Sequence, residues 1–266
     1  MIDRRVFGKA LGVGTGAAAV SLTGLRGPQT ASAATFPQLK QVRAGLLNVG
    51  YAELGPAHGP VVICLHGWPY DIHSYVDVAP LLAERGYRVV VPYLRGHGTT
   101  RFRSDRTFRN AQQSAVALDV IALMDALKIE KAVLAGFDWG SRTADIVAAL
   151  WPERCKALVS VSGYLVTDNP DYAAVVVHNY RWRLSLADGE RRYDALEKRL
   201  AARPTIGVPT ITLDPECDPF TAPGGGASYR DRFTGAYEHR TLPGVGHNVP
   251  QEAPAAFARA VIDVNG

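Results

Sequence analysis

The stretch Ala132-Val133-Leu134-Ala135-Gly136-Phe137-Asp138-Trp139-Gly140 restricts this chain more than any other. A short apolar run, suited to a buried strand, ends in a Gly-x-Asp-x-Gly turn. A helical pattern follows from Gly140 to Leu150, and Pro152 stops it. The two glycines allow a tight strand-to-helix elbow with close packing, and Asp138 sits at its tip. A carboxylate there narrows the chemistry. Its ordinary pKa is about 3.9, so it is ionised at neutral pH and needs no base to attack a saturated carbon. The resulting ester can be cleaved by activated water, whereas the ether that a serine would leave cannot. The residue type therefore points to an electrophilic saturated carbon, as in epoxides and alkyl halides. Aspartate is also a favoured helix N-cap, so the turn alone permits a purely structural role.

The order of elements predicts an α/β architecture. Val61 to Leu65 is a continuous apolar run, fit for a strand buried on both faces, and it ends in His66-Gly67-Trp68-Pro69. Helical periodicity follows through Leu81, Leu82 and Ala83 to Gly86. Further strands are expected at 87–92, 132–137, 157–161, 208–213 and 237–243. Further helices are expected at 111–127, 140–150 and 251–264. Residues 39–54 suit an antiparallel entry hairpin. Strands alternating with helices predict a mostly parallel central sheet with helices on both faces. Arg95-Gly96-His97-Gly98 reads as a mainly structural turn, and Pro223-Gly224-Gly225-Gly226 as a surface loop.

A chain of 266 residues suffices for one such domain with a sizeable core. Arg4, Arg5, Lys9 and Arg26, set against Asp3, supply most of the net charge of +4. The remainder is nearly neutral, and no basic patch suggests nucleic acid. The start is charged, the middle is short, weakly apolar and rich in Gly and Ala, and Ala31-Ser32-Ala33 offers a small-residue cleavage site. This pattern describes a signal peptide over 1–33. The Arg4-Arg5 pair with Phe7 and Lys9 resembles a twin-arginine signal, which implies export by that machinery. The alternating glycines make a stable membrane span unfavourable. Cys64 lies in an apolar strand and reads as packing, and the pairing of Cys155 and Cys217 stays open. No Cys/His spacing suggests a metal site.

From about residue 40 onward, the ordering of strands, turns and elbow resembles the α/β-hydrolase fold. Within it, His66-Gly67-Trp68-Pro69 together with Gly136-Phe137-Asp138-Trp139-Gly140 resembles the epoxide hydrolase and haloalkane dehalogenase branch. The resemblance implies that Asp138 is the nucleophile and that His247, in Gly244-Val245-Gly246-His247-Asn248, is the base. His66, His73, His97, His178 and His239 do not follow the last strand and fit that place less well. Asp218 is the implied orienting acid, with Asp214 as the alternative. The backbone N–H groups of Trp68 and Trp139 are the implied oxyanion donors, and His66 belongs to the same substrate-binding turn. A short helical cap is implied at 165–205, inserted into a domain spanning 34–266. Within Asn179-Tyr180-Arg181, Tyr180 is the implied proton donor to the leaving oxygen. The cap lacks the segment that would hold a first tyrosine, for which Tyr164 or Tyr172 could substitute. Dehalogenases of this branch commonly carry an asparagine in the early turn, which this chain lacks. The fluoroacetate-cleaving type has an arginine after the aspartate, where Trp139 stands here. The resemblance thus implies an exported, cofactor-independent enzyme that opens an epoxide to a vicinal diol. The alternatives are a haloalkane dehalogenase and a non-catalytic binding protein on the same fold.

Overall fold

Strands made almost wholly of Val, Ile, Leu and Ala can be buried on both faces only near the centre of a covered sheet. The computed structural model, which describes residues 35–36, 38–110, 112–164, 189–220 and 226–266, has them there. In chain order the strands are β1 (Leu39–Ala44), β2 (Leu47–Leu54), β3 (Val61–Leu65), β4 (Arg88–Pro92), β5 (Arg101–Phe102), β6 (Ala132–Gly136), β7 (Cys155–Val161), β8 (Thr210–Pro215) and β9 (Tyr237–Leu242). They pair in the order β1-β2-β4-β3-β6-β7-β8-β9, with β5 also on β2. β1 and β2 form the expected antiparallel hairpin, and β2 pairs antiparallel with β4. From β4 to β9 every pairing is parallel.

The helices are α1 (Val78–Glu84), α2 (Gln113–Ala126), α3 (Trp139–Leu150), α4 (Asp194–Ala201), α5 (Val249–Glu252) and α6 (Pro254–Asn265). Side chains alternate between the faces of each strand, and two cores result. Ile63, Leu65, Val90 and Leu134 pack with Val116, Val120 and Met124 of α2 and with Ile146 and Val147 of α3. Val62, Cys64, Val89, Val91 and Val133 pack with Val78 and Leu82 of α1 and with Phe257 and Val261 of α6. All three cysteines are free; Cys64 and Cys155 are buried and Cys217 is exposed. No helix among the described residues is long and apolar enough to cross a membrane.

Several boundaries shift by a few residues, and two of the shifts have a clear cause. β8 starts at Thr210, because Pro209 has no N–H for the ladder, and it continues to Pro215 because Leu242 of β9 lies opposite. The expected last helix is divided into α5 and α6 at Ala253–Pro254, since proline suits a helix start and cannot continue an existing one.

The later part of the expected cap segment is built into the main body. Leu200 of α4 is buried in the α2–α3 core. Gln112, the residue before α2, makes no side-chain cap bond. Glu197 of α4 supplies one instead, accepting from the Ser114 N–H at 3.1 Å and from the Ser114 hydroxyl. The Glu190 N–H donates to Gln112 Oε1 at 2.7 Å. Arg95 confirms a structural role for its turn. It is buried, pairs with Asp119 at 2.6 Å and 2.8 Å, and donates to the Asn110 and Ala115 carbonyls.

The elbow depends on its flanking glycines. A Cβ on Gly140 would overlap the Leu65 carbonyl, and one on Gly136 would overlap the Gly140 carbonyl group. Both obstacles are backbone, so relief requires moving α3 away from the sheet. Gly140→Ala is therefore expected to lower unfolding stability by about 3 kcal/mol, the upper range for overpacking. A urea midpoint equal to wild type would refute this.

Candidate active site

Strand register gathers the site residues beyond the C-terminal ends of the parallel strands. β3 and β6 set Leu65 beside Gly136, so the turn after Leu65 meets the elbow after Gly136. β8 and β9 set Pro215 beside Leu242, so the Asp218 turn meets the His247 loop. Asp138 has φ +53 and ψ −119, a backbone that L-residues rarely adopt. Ser141 fixes this turn: its hydroxyl donates to the Gly136 carbonyl at 2.7 Å and accepts from the Val161 N–H at 2.9 Å. The Asp138 carboxylate makes no capping bond to α3, so it does not serve as the helix cap that the turn alone allowed.

The carboxylate is held at both oxygens. Oδ1 accepts from the Trp68 N–H at 2.7 Å. Oδ2 lies 3.5 Å from His247 Nε2. His247 Nδ1 is 3.0 Å from Asp218 Oδ2. The Asp218 side chain is fully buried; it also accepts from the Phe220 N–H at 2.8 Å and, more weakly, from the Ser162 hydroxyl at 3.4 Å. Asp138, His247 and Asp218 thus form one chain of contacts. Asp214, the alternative acid, is engaged elsewhere: the Tyr229 hydroxyl donates to it at 2.7 Å, and His239 lies 3.8 Å away.

The His247 loop is clamped from both sides. Glu252 accepts from the Gly246 N–H at 2.7 Å and from the Asn248 N–H at 3.1 Å. The Asn248 amide donates to Ser74 Oγ at 3.1 Å. The Cys217 N–H donates to the Val245 carbonyl at 2.9 Å, joining the acid turn to the base loop.

His66 supports the site from behind and presents no ring nitrogen to it. It is fully buried, with Nδ1 3.0 Å from the Gly67 carbonyl and Nε2 accepting from the Leu94 N–H at 3.1 Å. Burial lowers its pKa to about 4, so it stays neutral, with Nδ1 as the donor. The ring thereby fixes the turn that aims the Trp68 N–H at Asp138. Trp139 is the first residue of α3, and N–H groups in a first turn point out of the helix start toward the elbow. Tyr180 and Tyr172 lie outside the described residues. The Tyr164 hydroxyl donates to the Pro204 carbonyl at 2.7 Å.

Burial acts to lower the pKa of His247, but its contacts with Asp138 and Asp218 outweigh this and raise it to about 9. Burial likewise opposes ionisation of Asp218, yet the bonds from His247 and the Phe220 N–H keep that carboxyl below its usual range. At neutral pH the imidazole is therefore protonated between two carboxylates. A histidine pKa raised in the folded state gives stabilisation that is complete below about pH 6.5 and is lost as pH rises through about 9. Wild-type stability relative to His247→Gln should fall over that window. Asp138→Asn removes one of the two charges, so the His247 pKa should drop, read by NMR titration of the ring. An unchanged titration would mean that Asp138 does not act on the imidazole.

Sequence reasoning passed over Phe220, Ser162 and Glu252. The first two lie in loops without periodicity. Glu252 stands inside an expected helix, where its reach back to residues 246 and 248 has no local signal.

Comparison with known proteins agrees with this architecture. A family model described as alpha/beta hydrolase fold matches residues 60–249. A Klebsiella pneumoniae crystal structure, of a protein only provisionally assigned as an epoxide hydrolase, is 47% identical. That match has a TM-score of 0.80 and covers 88% of this chain and 99% of that one. Epoxide hydrolase 3 of Siraitia grosvenorii is 38% identical over 112 residues, which are 42% of this chain and 35% of that protein. A haloalkane dehalogenase of Mycobacterium marinum is 36% identical over 123 residues, 46% of this chain and 40% of that protein. The matches to these two curated relatives thus span well under half the length of each.

Proposed function

The chain belongs to the α/β-hydrolase fold family, and on that premise we propose that it hydrolyses epoxides to vicinal diols through an ester on Asp138. One observation carries the reading. Asp138 stands at the elbow tip with Oδ1 held by a backbone N–H and Oδ2 facing an Asp-supported imidazole. In the first step Oδ2 attacks an epoxide carbon, the C–O bond breaks, and the oxygen takes a proton from a donor, for which Tyr180 is proposed. In the second step His247 Nε2 takes a proton from water, whose oxygen attacks the ester carbon. The developing charge falls on Oδ1, where the N–H groups of Trp68 and Trp139 receive it. The C–O bond to the diol then breaks, the departing oxygen takes the proton of the added hydroxyl, and Asp138 is restored as a carboxylate beside a protonated His247.

The charge state of His247 fits this order. Esterification removes the Asp138 charge, and with it part of what holds the proton on the imidazole. Once the ester has formed, the ring gives up its resting proton, which through solvent restores the Tyr180 hydroxyl; the neutral ring is then a base, while Asp218 keeps it oriented.

The test is product analysis. Purified protein should convert styrene oxide to its diol and release no halide from chlorohexane. Halide release without diol would select the dehalogenase reading, which the Mycobacterium marinum relative supports; neither product would favour a binding protein. Export is part of the same proposal, supported by Arg4-Arg5 and the small residues up to Ala33, and it remains separate from the chemistry. Replacing both arginines with lysine should retain the chain in the cytoplasm; export at the wild-type level would refute the signal.

A further inference from the structure

Among the described residues, three aromatic rings stand around the His247 imidazole. Phe137 and Tyr70 each have centroids 6.2 Å from it, and Phe220 is at 4.9 Å. Their exposure is graded. Phe137 is fully buried, Tyr70 is half-buried, and Phe220 is 64% exposed. A lone exposed apolar residue needs no explanation in itself. Phe220 differs in being anchored and in its place. Its N–H donates to Asp218 Oδ1 at 2.8 Å, so the backbone carrying the ring is fixed to the acid that holds His247. The ring meets the imidazole edge-to-face, at 72°. His247 Nε2 is in turn 3.5 Å from Asp138 Oδ2, so a single imidazole links the ring to the attacking carboxylate.

We propose that Phe220 is a specificity-determining residue whose exposed ring forms an apolar wall for the non-reacting substituent of the substrate, favouring epoxides with an aryl group. This rests on the epoxide-opening reading. An aryl substituent offers both apolar area and ring-to-ring contact, whereas a short alkyl chain offers only a little area. Ring contacts of this kind correspond to roughly a five- to tenfold preference.

The test compares wild type, Phe220→Ala and Phe220→Leu on styrene oxide and butylene oxide. The ratio of kcat/KM for the aryl over the alkyl epoxide should fall about tenfold in the alanine variant and less in the leucine variant, which keeps apolar bulk. The fall should come mainly from a raised KM for styrene oxide. If both substrates decline equally in both variants, with a shifted pH profile, Phe220 only supports His247 and the inference is overturned. An unchanged ratio in the leucine and alanine variants overturns it as well. A wild type that opens neither epoxide overturns the functional reading itself, and this inference with it.

Discussion

Asp138→Ala is expected to lower kcat/KM toward an epoxide by at least about ten-thousand-fold, because without the carboxylate no ester forms and the two-step route closes. The oxyanion donors and His247 would remain, but with nothing to act on. Alanine at a positive φ carries some backbone cost, so the fold is checked separately by the urea midpoint. Asp138→Asn provides a second control, since it can still accept from the Trp68 N–H while its amide is a poor nucleophile. Turnover within tenfold of wild type in a folded Asp138→Ala protein would remove the covalent mechanism altogether.

His247→Gln is expected to separate the two steps. Attack by Asp138 needs no base, so the ester should form; its hydrolysis needs one, so the ester should persist. Intact mass spectrometry after incubation with styrene oxide should then show a protein heavier by the full mass of the epoxide, since ring opening expels no fragment. An alkyl halide would add only its alkyl group, because the halide leaves. Peptide mapping should place the adduct on the segment containing Asp138. A variant that turns over at the wild-type rate, or an adduct on another side chain, would overturn the assignment of His247 as the base. The protonated resting state adds a further consequence. Glutamine removes a positive charge beside Oδ2 but no base that the first step uses, so the first step should respond to the substitution much less than the second.

The central strands were legible because their residues carry a local signal. Val61 to Leu65 and Ala132 to Gly136 are apolar throughout, and that pattern is dictated by burial on both faces. The elbow was legible because Gly136 and Gly140 serve close approach, a demand that few residues satisfy. His247 was singled out by the family resemblance, which calls for a histidine between the last strand and the last helix. The resemblance favoured Asp218 over Asp214 by its distance past the strand end, without any contact to decide between them. Their assignment follows from the β8–β9 register, a contact between segments more than twenty residues apart. His66 looked like a site residue because it sits in the turn that meets Asp138; only the fold reveals that both ring nitrogens are engaged by backbone. The α4 helix falls within the expected cap segment, and only the fold reveals that Leu200 and Glu197 dock it onto the α2 side.

The amino-acid order alone therefore settled the layered α/β architecture and the residue types available for chemistry. Hydrophobic periodicity and glycine spacing are properties of neighbouring residues. The tertiary structure decided which acid faces the imidazole, which backbone N–H meets the Asp138 carboxylate, and how the protonation of His247 is set. Each of these depends on distances of a few ångströms between segments far apart in the chain, and electrostatics and hydrogen bonding vary steeply over such distances.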